Sequence, residues 1–264
     1  MSDAAQPTLG VVFRPQSPPE ALREIVEAVD ASPAAELWLW EDCFLEGGVS
    51  TAAAALAWSS RVRVGIGLLP VPLRNAALAA MELATLERLA PGRVIAGLGH
   101  GVLDWMGQVG ARVESPLTLL REYATAVRAL LAGETVDAAG RYVALDRVAL
   151  DWPPAAPPEL VLGATRPKTL ALAGELGDGV LLTGDTDVEA LRAARAIVDE
   201  ARAAAGRAGR ARVIVYTALD PGRSDLRDAV LRRTDELAAA GADAVAFHGT
   251  ASSPDPRPFL DVLS

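Results

Sequence analysis

The chain has 264 residues, 51% of them hydrophobic and only 5% aromatic, with alanine, leucine and valine carrying the apolar content. That is enough to bury a sizeable core in one large α/β domain. A formal net charge of −9 argues against nucleic acid and against an anionic membrane surface, both of which bind through cationic side chains, and one cysteine with two histidines excludes an internal disulfide and a thiolate or His-rich metal site.

Residues 1–8 are short and polar and no apolar run reaches membrane length, so a cytoplasmic protein is expected. Residues 8–13 read as a β-rich run broken by Pro15, Pro18 and Pro19, and 18–31 as a helix with Glu20 near its positive end. Residues 36–42 (ELWLWED) form a second strand ending on two carboxylates, and 50–59 an alanine-rich helix capped by Ser50. A third strand, 61–69, stops at Pro70 and Pro72, and 73–89 is helical by its leucine spacing.

Pro91-Gly92 launches a fourth, doubly buried strand that runs into Gly97-Leu98-Gly99-His100-Gly101. A loop holding Asp104, Trp105 and Gln108 follows, then a helix opened by Ser115-Pro116 and closed by Gly133. Between 134 and 151 the period changes to two around Ala139-Gly140, which marks a hairpin insertion. A proline-rich link then leads into strand–helix units at 159–163 and 167–176, 179–182 and 188–205, 212–219 and 225–240, and 244–248 and 256–263. Eight strands each followed by a helix predict a (β/α)8 TIM barrel, as a single domain with a short hairpin insertion before strand five.

In such a barrel the reactive groups stand at the carboxyl ends of the strands. These ends are mostly apolar, which suits a flat, partly apolar ligand. Gly163-Ala164-Thr165-Arg166-Pro167-Lys168 is the anion candidate, because a glycine turn leads to proline at the first helical position with two cations beside the free N–H groups; the plainer reading is a helix start with two solvated cations. His100 is either a proton handler or a histidine that satisfies backbone groups at a strand end. Of the adjacent Glu41 and Asp42 only one can face the barrel mouth, since neighbouring strand residues point to opposite faces. Cys43 reads as an inert thiol, His248 as a structural or rim residue, and Trp40 and Trp105 as either ring-stacking or packing groups.

Taken together, LWLWEDCF at 37–44, RVRVGIGLLPVPLRN at 61–75, ATLERLAPGRVIAGLGHG at 84–101, SPLTLLREY at 115–123 and GATRPKTLALAGELGDGVLL at 163–182 resemble the bacterial luciferase-like superfamily of flavin- and deazaflavin-dependent oxidoreductases over almost the whole chain. The resemblance implies a barrel, usually a homodimer, holding coenzyme F420 or FMN at its carboxyl face. It places the ring-backing bulge at Gly67, Leu68 and Leu69, often with a non-proline cis peptide in deazaflavin members. The same resemblance puts the phosphate cradle at Gly163 to Lys168 and sets Gly99, His100 and Gly101 beside the ring and a small-molecule substrate. Two departures stand out. Cys43 occupies the place of a histidine common in deazaflavin members, and Val102 that of a glutamate, which leaves His100 and Asp42 as the catalytic candidates. The expected activity is hydride transfer between F420, preferred over FMN, and a small organic substrate. The alternatives are an FMN-dependent monooxygenase and a non-catalytic flavin or deazaflavin carrier; a lyase or isomerase barrel lacks a strand-end lysine.

Overall fold

The computed structural model describes residues 6–183 and 186–263, so most of the polar opening segment lies outside it. Eight parallel strands close into a barrel in the order β1 (Thr8–Phe13), β10 (Ala244–His248), β9 (Arg212–Ala218), β8 (Gly179–Leu182), β7 (Glu159–Gly163), β4 (Val94–Gly99), β3 (Arg63–Pro70) and β2 (Glu36–Leu39), the last pairing again with β1. The helices between them are α1 (Leu22–Ala31), α2 (Gly48–Trp58), α3 (Ala76–Leu89), α5 (Pro116–Leu131), α6 (Pro167–Leu176), α7 (Val188–Ala204) and α8 (Leu226–Ala240), with α9 (Arg257–Leu263) closing the order. An antiparallel hairpin of β5 (Val136–Ala139) and β6 (Ala144–Val148) stands before β7. The expected TIM barrel with its hairpin insertion is what forms.

Four local expectations are corrected. The second strand ends at Leu39 rather than Asp42, because Glu41 leaves the ladder to accept a hydrogen bond from Gly48 N at 2.7 Å, capping α2. Gly47, not Ser50, is the N-cap of α2: Ser50 sits inside the first turn and its hydroxyl donates back to the Gly47 carbonyl. The helix expected from Leu73 starts at Ala76, since residues Val71–Leu73 form a 3-10 turn and Asn75 caps Ala77 N through its side chain. The loop after His100 contains a short helix, α4 (Leu103–Gln108).

Alternation along each strand sorts side chains into two cores. One lies between sheet and helices; the other fills the barrel with Val12, Trp38, Ile95, Val161, Leu181 and Ile214 among others. Gly65 leaves room for the Trp38 ring, which a Cβ there would approach to 2.4 Å. At the amino end of the barrel four charges close a ring: Arg63 bridges Glu36 at 3.4 Å and Glu159 at 2.7 Å, and Arg212 bridges Glu36 at 2.6 Å and Glu159 at 3.4 Å. Trp38 Nε1 donates to the free Glu36 oxygen at 3.1 Å, so the fully buried Glu36 has both oxygens satisfied. Among the described residues no helix is long and apolar enough to cross a membrane.

Two stability predictions arise. Removing one member of the ring with Glu36→Ala leaves Arg212 and Arg63 under-neutralised inside the barrel and should cost about 3 kcal/mol in urea unfolding. Replacing the pair as Glu36→Leu with Arg212→Met should cost less, because the Arg63–Glu159 bridge survives intact. At the other end, burial and the neighbouring Glu20 push the Glu46 carboxyl up to about 7. A carboxyl raised in the folded state binds its proton more tightly than the unfolded chain does, so its contribution to stability is present at low pH and is lost as pH rises from about 4.5 to about 7. Glu46→Gln should remove that decline, read as unfolding midpoints across this window.

Candidate active site

The carboxyl ends of the strands form a mouth with two unlike halves. On one half β3, β4 and β7 lie side by side; β4 and β7 end in Gly99 and Gly163, and β3 carries Gly67 three residues before its end at Pro70. The ladder between β3 and β4 slips between Ile66 and Leu69, and the Gly67–Leu68 peptide is cis, so the bulge lies where the resemblance put it. The Leu68 side chain crosses the two neighbouring tips: a Cβ on Gly99 would stand 2.4 Å from it and one on Gly163 2.3 Å. Glycine at both positions lets one leucine spread over three strands as a flat apolar floor. Tyr216, buried on β9, donates its hydroxyl to the Gly67 carbonyl at 3.3 Å and fixes the floor's inner edge. Burial raises the Tyr216 pKa well above its ordinary value, so this phenol stays a donor.

The Gly163–Lys168 segment leaves this floor for α6. Ala164 N donates to the Leu181 carbonyl at 3.1 Å, anchoring the segment to β8. Arg166 is the N-cap, Pro167 the first helical residue, and no side chain caps the helix start. Thr165, Arg166, Pro167 and Lys168 are exposed, and neither cation forms an ion pair among the described residues. Gly101 takes the left-handed φ of +70° that turns the chain after His100. The imidazole of His100 is directed to the first turn of α6, its Nε2 3.3 Å from Thr169 Oγ1, while its buried Nδ1 has no partner among the described residues. Burial lowers the His100 pKa against the opposing influence of the Pro116 backbone.

The other half is polar and aromatic. Arg14 at the end of β1, Trp40 and Asp42 after β2, Tyr216 on β9 and His248 ending β10 converge there. Trp40 packs against Tyr216 with centroids 5.4 Å apart and edge-on against His248 at 4.9 Å. The Arg14 guanidinium lies over the Trp40 ring, donates to the Gly249 carbonyl at 2.8 Å and stands 3.1 Å from His248 Nδ1. Glu41 and Asp42 lie beyond the end of β2, so strand alternation does not apply to them; Glu41 pairs with Arg74 and the α2 start, and Asp42 interacts electrostatically with Arg14. Burial raises the Asp42 pKa, against the Arg14 charge. Cys43 is half-buried, and burial together with Glu41 and Asp42 pushes its thiol up, which keeps it protonated and inert. Sequence reasoning passed over Arg14 and Tyr216 and read His248 as structural or rim-exposed; it is buried among these rings, which fits the structural alternative. The period-two placement of Tyr216 and His248 on inward-facing positions was the available signal.

Two depressions lie away from the mouth's centre. One, of about 510 Å³, is on the outer rim between Asp42, Cys43, Glu46, Leu73, Arg74 and Glu82. The other, of about 460 Å³, is at the opposite end of the barrel between Arg63, Glu87 and Pro154.

A family model described as luciferase-like monooxygenase matches residues 4–255. The 5,10-methylenetetrahydromethanopterin reductase of Methanolobus tindarius is 29% identical over 175 residues, 66% of this chain and 53% of that protein; the chain spans about half the length of the curated relatives it matches. Among solved structures, the coenzyme F420-dependent tetrahydromethanopterin reductase from Methanopyrus kandleri superposes with a TM-score of 0.84 at 18% identity, covering 98% of this chain and 97% of that one. The oxygenating constituent of 3,6-diketocamphane monooxygenase from Pseudomonas putida, in complex with FMN, gives 0.71 at 17% identity over 97% and 83%. At these identities the two structures speak for the fold, and the family match speaks for the chemistry: the chain belongs to the luciferase-like monooxygenase family, oxidoreductases whose members use F420 or FMN.

Proposed function

We propose that the protein binds coenzyme F420 over the glycine half of the mouth and exchanges a hydride with a small organic substrate held at the polar half. The observation that carries this reading is the apolar Leu68 floor across Gly99 and Gly163, leading into a helix start that has no side-chain cap and two cations with no ion pair among the described residues. A planar tricycle with a phosphate-bearing tail fits that pair of features: the floor offers no polar atom to strand against the ring, and the helix start offers N–H groups and positive charge to a phosphate. FMN shares both features. The preference for F420 is supported by the LWLWEDCF and LLPVPLRN segments and by the F420-dependent reductase of the same fold.

When bound, the deazaflavin supplies a ring carbon that accepts or gives up a hydride. The protein's residues do the rest. Leu68, Gly99 and Gly163 keep water from one ring face, and Tyr216 holds the Gly67 carbonyl and with it the bulge. Arg166 and Lys168 neutralise the phosphate, while His100 steadies the first turn of α6 through Thr169. Asp42, facing the mouth with its proton affinity raised by burial, gives or takes the substrate proton. An exposed apolar row on α3, including Leu78, Met81 and Leu89, supports the expected homodimer, which sedimentation would register.

Fluorescence titration with F420 and FMN side by side tests the cofactor assignment, and tighter binding of F420 is expected; binding of neither chromophore overturns the reading, and a preference for FMN transfers it to the monooxygenase branch. Replacing both cations, Arg166→Ala with Lys168→Ala, should weaken cofactor binding by about 1–3 kcal/mol, because two charge-assisted contacts are lost. Asp42→Asn should lower turnover by about a hundredfold while leaving cofactor affinity unchanged. Equal loss in both would make Asp42 a binding group, and failure of the wild-type chain to turn over any member of a substrate panel with reduced cofactor would favour the carrier.

A further inference from the structure

We propose that Arg14 is a built anion subsite for the substrate, and that the substrate carries a carboxylate. The inference rests on the assignment of the polar half of the mouth as the substrate side, and adds to it the class of molecule bound there.

The argument begins with how arginines inside this barrel are neutralised. Arg63 and Arg212 each bridge both Glu36 and Glu159. Arg14, half-buried just past the end of β1, forms no ion pair among the described residues. Its Nε donates to Gln16 Oε1 at 2.9 Å and its Nη1 to the Gly249 carbonyl at 2.8 Å, with His248 Nδ1 at 3.1 Å. Its Nη2 makes no hydrogen bond, and no carboxylate lies within ion-pair distance, among the described residues. A partly desolvated guanidinium with no counter-charge is unfavourable unless something completes it. Asp42 does not: it senses Arg14 electrostatically without contact, and burial favours its neutral form.

The site is also pre-oriented. Arg14 Cζ lies 4.9 Å from the centroid of the Trp40 ring, so the fork is stacked in one plane, and that ring is wedged against Tyr216 and His248. A planar guanidinium edge with an open nitrogen matches a carboxylate, whose two oxygens can engage the fork. A phosphate is the poorer match. One guanidinium facing a carboxyl group lacks the paired cations and helix start found at Gly163 to Lys168.

The test is calorimetric titration of the full chain with butyrate and with butyramide, which have the same shape but differ in charge, both without cofactor and after loading with F420. Butyrate should bind about tenfold or more tightly than butyramide. Arg14→Met should bring butyrate down to the amide's level, Arg14→Lys should keep part of the difference, and F420 affinity should stay within about twofold in both variants, since the floor and cradle are untouched. Equal binding of the two probes, butyrate affinity indifferent to Arg14→Met, or no butyrate binding by a chain that binds F420 would each overturn the proposal. If the wild-type chain binds neither F420 nor FMN, the cofactor assignment fails by itself, and titration of the cofactor-free chain still decides the anion subsite. Arg14→Lys, which keeps the charge and much of the volume, guards against a Met variant that does not fold.

Discussion

The ring of Glu36, Arg63, Glu159 and Arg212 is the interaction on which the arrangement of this barrel depends. Four charges taken from β2, β3, β7 and β9 face one another at the amino end, and each is neutralised only if those strands hold one register. A one-residue slip of any of them would turn a charge into the helix layer and an apolar side chain into the ring. With the register fixed below, alternation fixes what faces inward above. Two residues on from Glu36 is Trp38; four on from Glu159 is Gly163; four on from Arg212 is Tyr216. The bottom of the barrel thereby sets the composition of its mouth.

That mouth is asymmetric for a steric reason. Two neighbouring strands, β4 and β7, end in glycine, and the bulge in β3 spreads Leu68 over the gap. Opposite, the strands end in residues that need one another: Arg14 lies on Trp40, Trp40 on Tyr216 and His248, and Tyr216 reaches back to the Gly67 carbonyl. The last contact ties the halves together. Tyr216 is itself anchored in β9, so the shape of the mouth is set by packed rings on rigid strands rather than by loops.

How much of this was legible in the sequence depends on the range of the interaction. Strands buried on both faces announce themselves as apolar runs, and the glycine turn before Pro167 marks a helix start, so the barrel, its hairpin and the Gly163–Lys168 segment were open to local reasoning. What was hidden were arrangements made across the chain. Arg14 and His248 are 234 positions apart, and Glu36 and Arg212 are 176 apart. Local pattern names these residues but not their partners, so Arg14 carried no assigned role and His248 stood as a structural or rim residue. Even the small boundary errors have this character. The second strand stops early because Glu41 is claimed by α2 and Arg74, residues that the run ELWLWED does not contain.

The overall charge sharpens the role of these few cations. A chain with 34 acidic and 25 basic residues repels anions at a distance, so nothing steers a phosphate or carboxylate toward this mouth. At physiological salt that repulsion fades beyond about 8 Å, which leaves affinity to contacts made at short range. There the local pattern is the reverse of the global one: among the described residues Arg166 and Lys168 at a helix start, and the half-buried Arg14, form no ion pair. Anions at the two proposed subsites would therefore be recognised by contacts at short range rather than by the field of the whole chain.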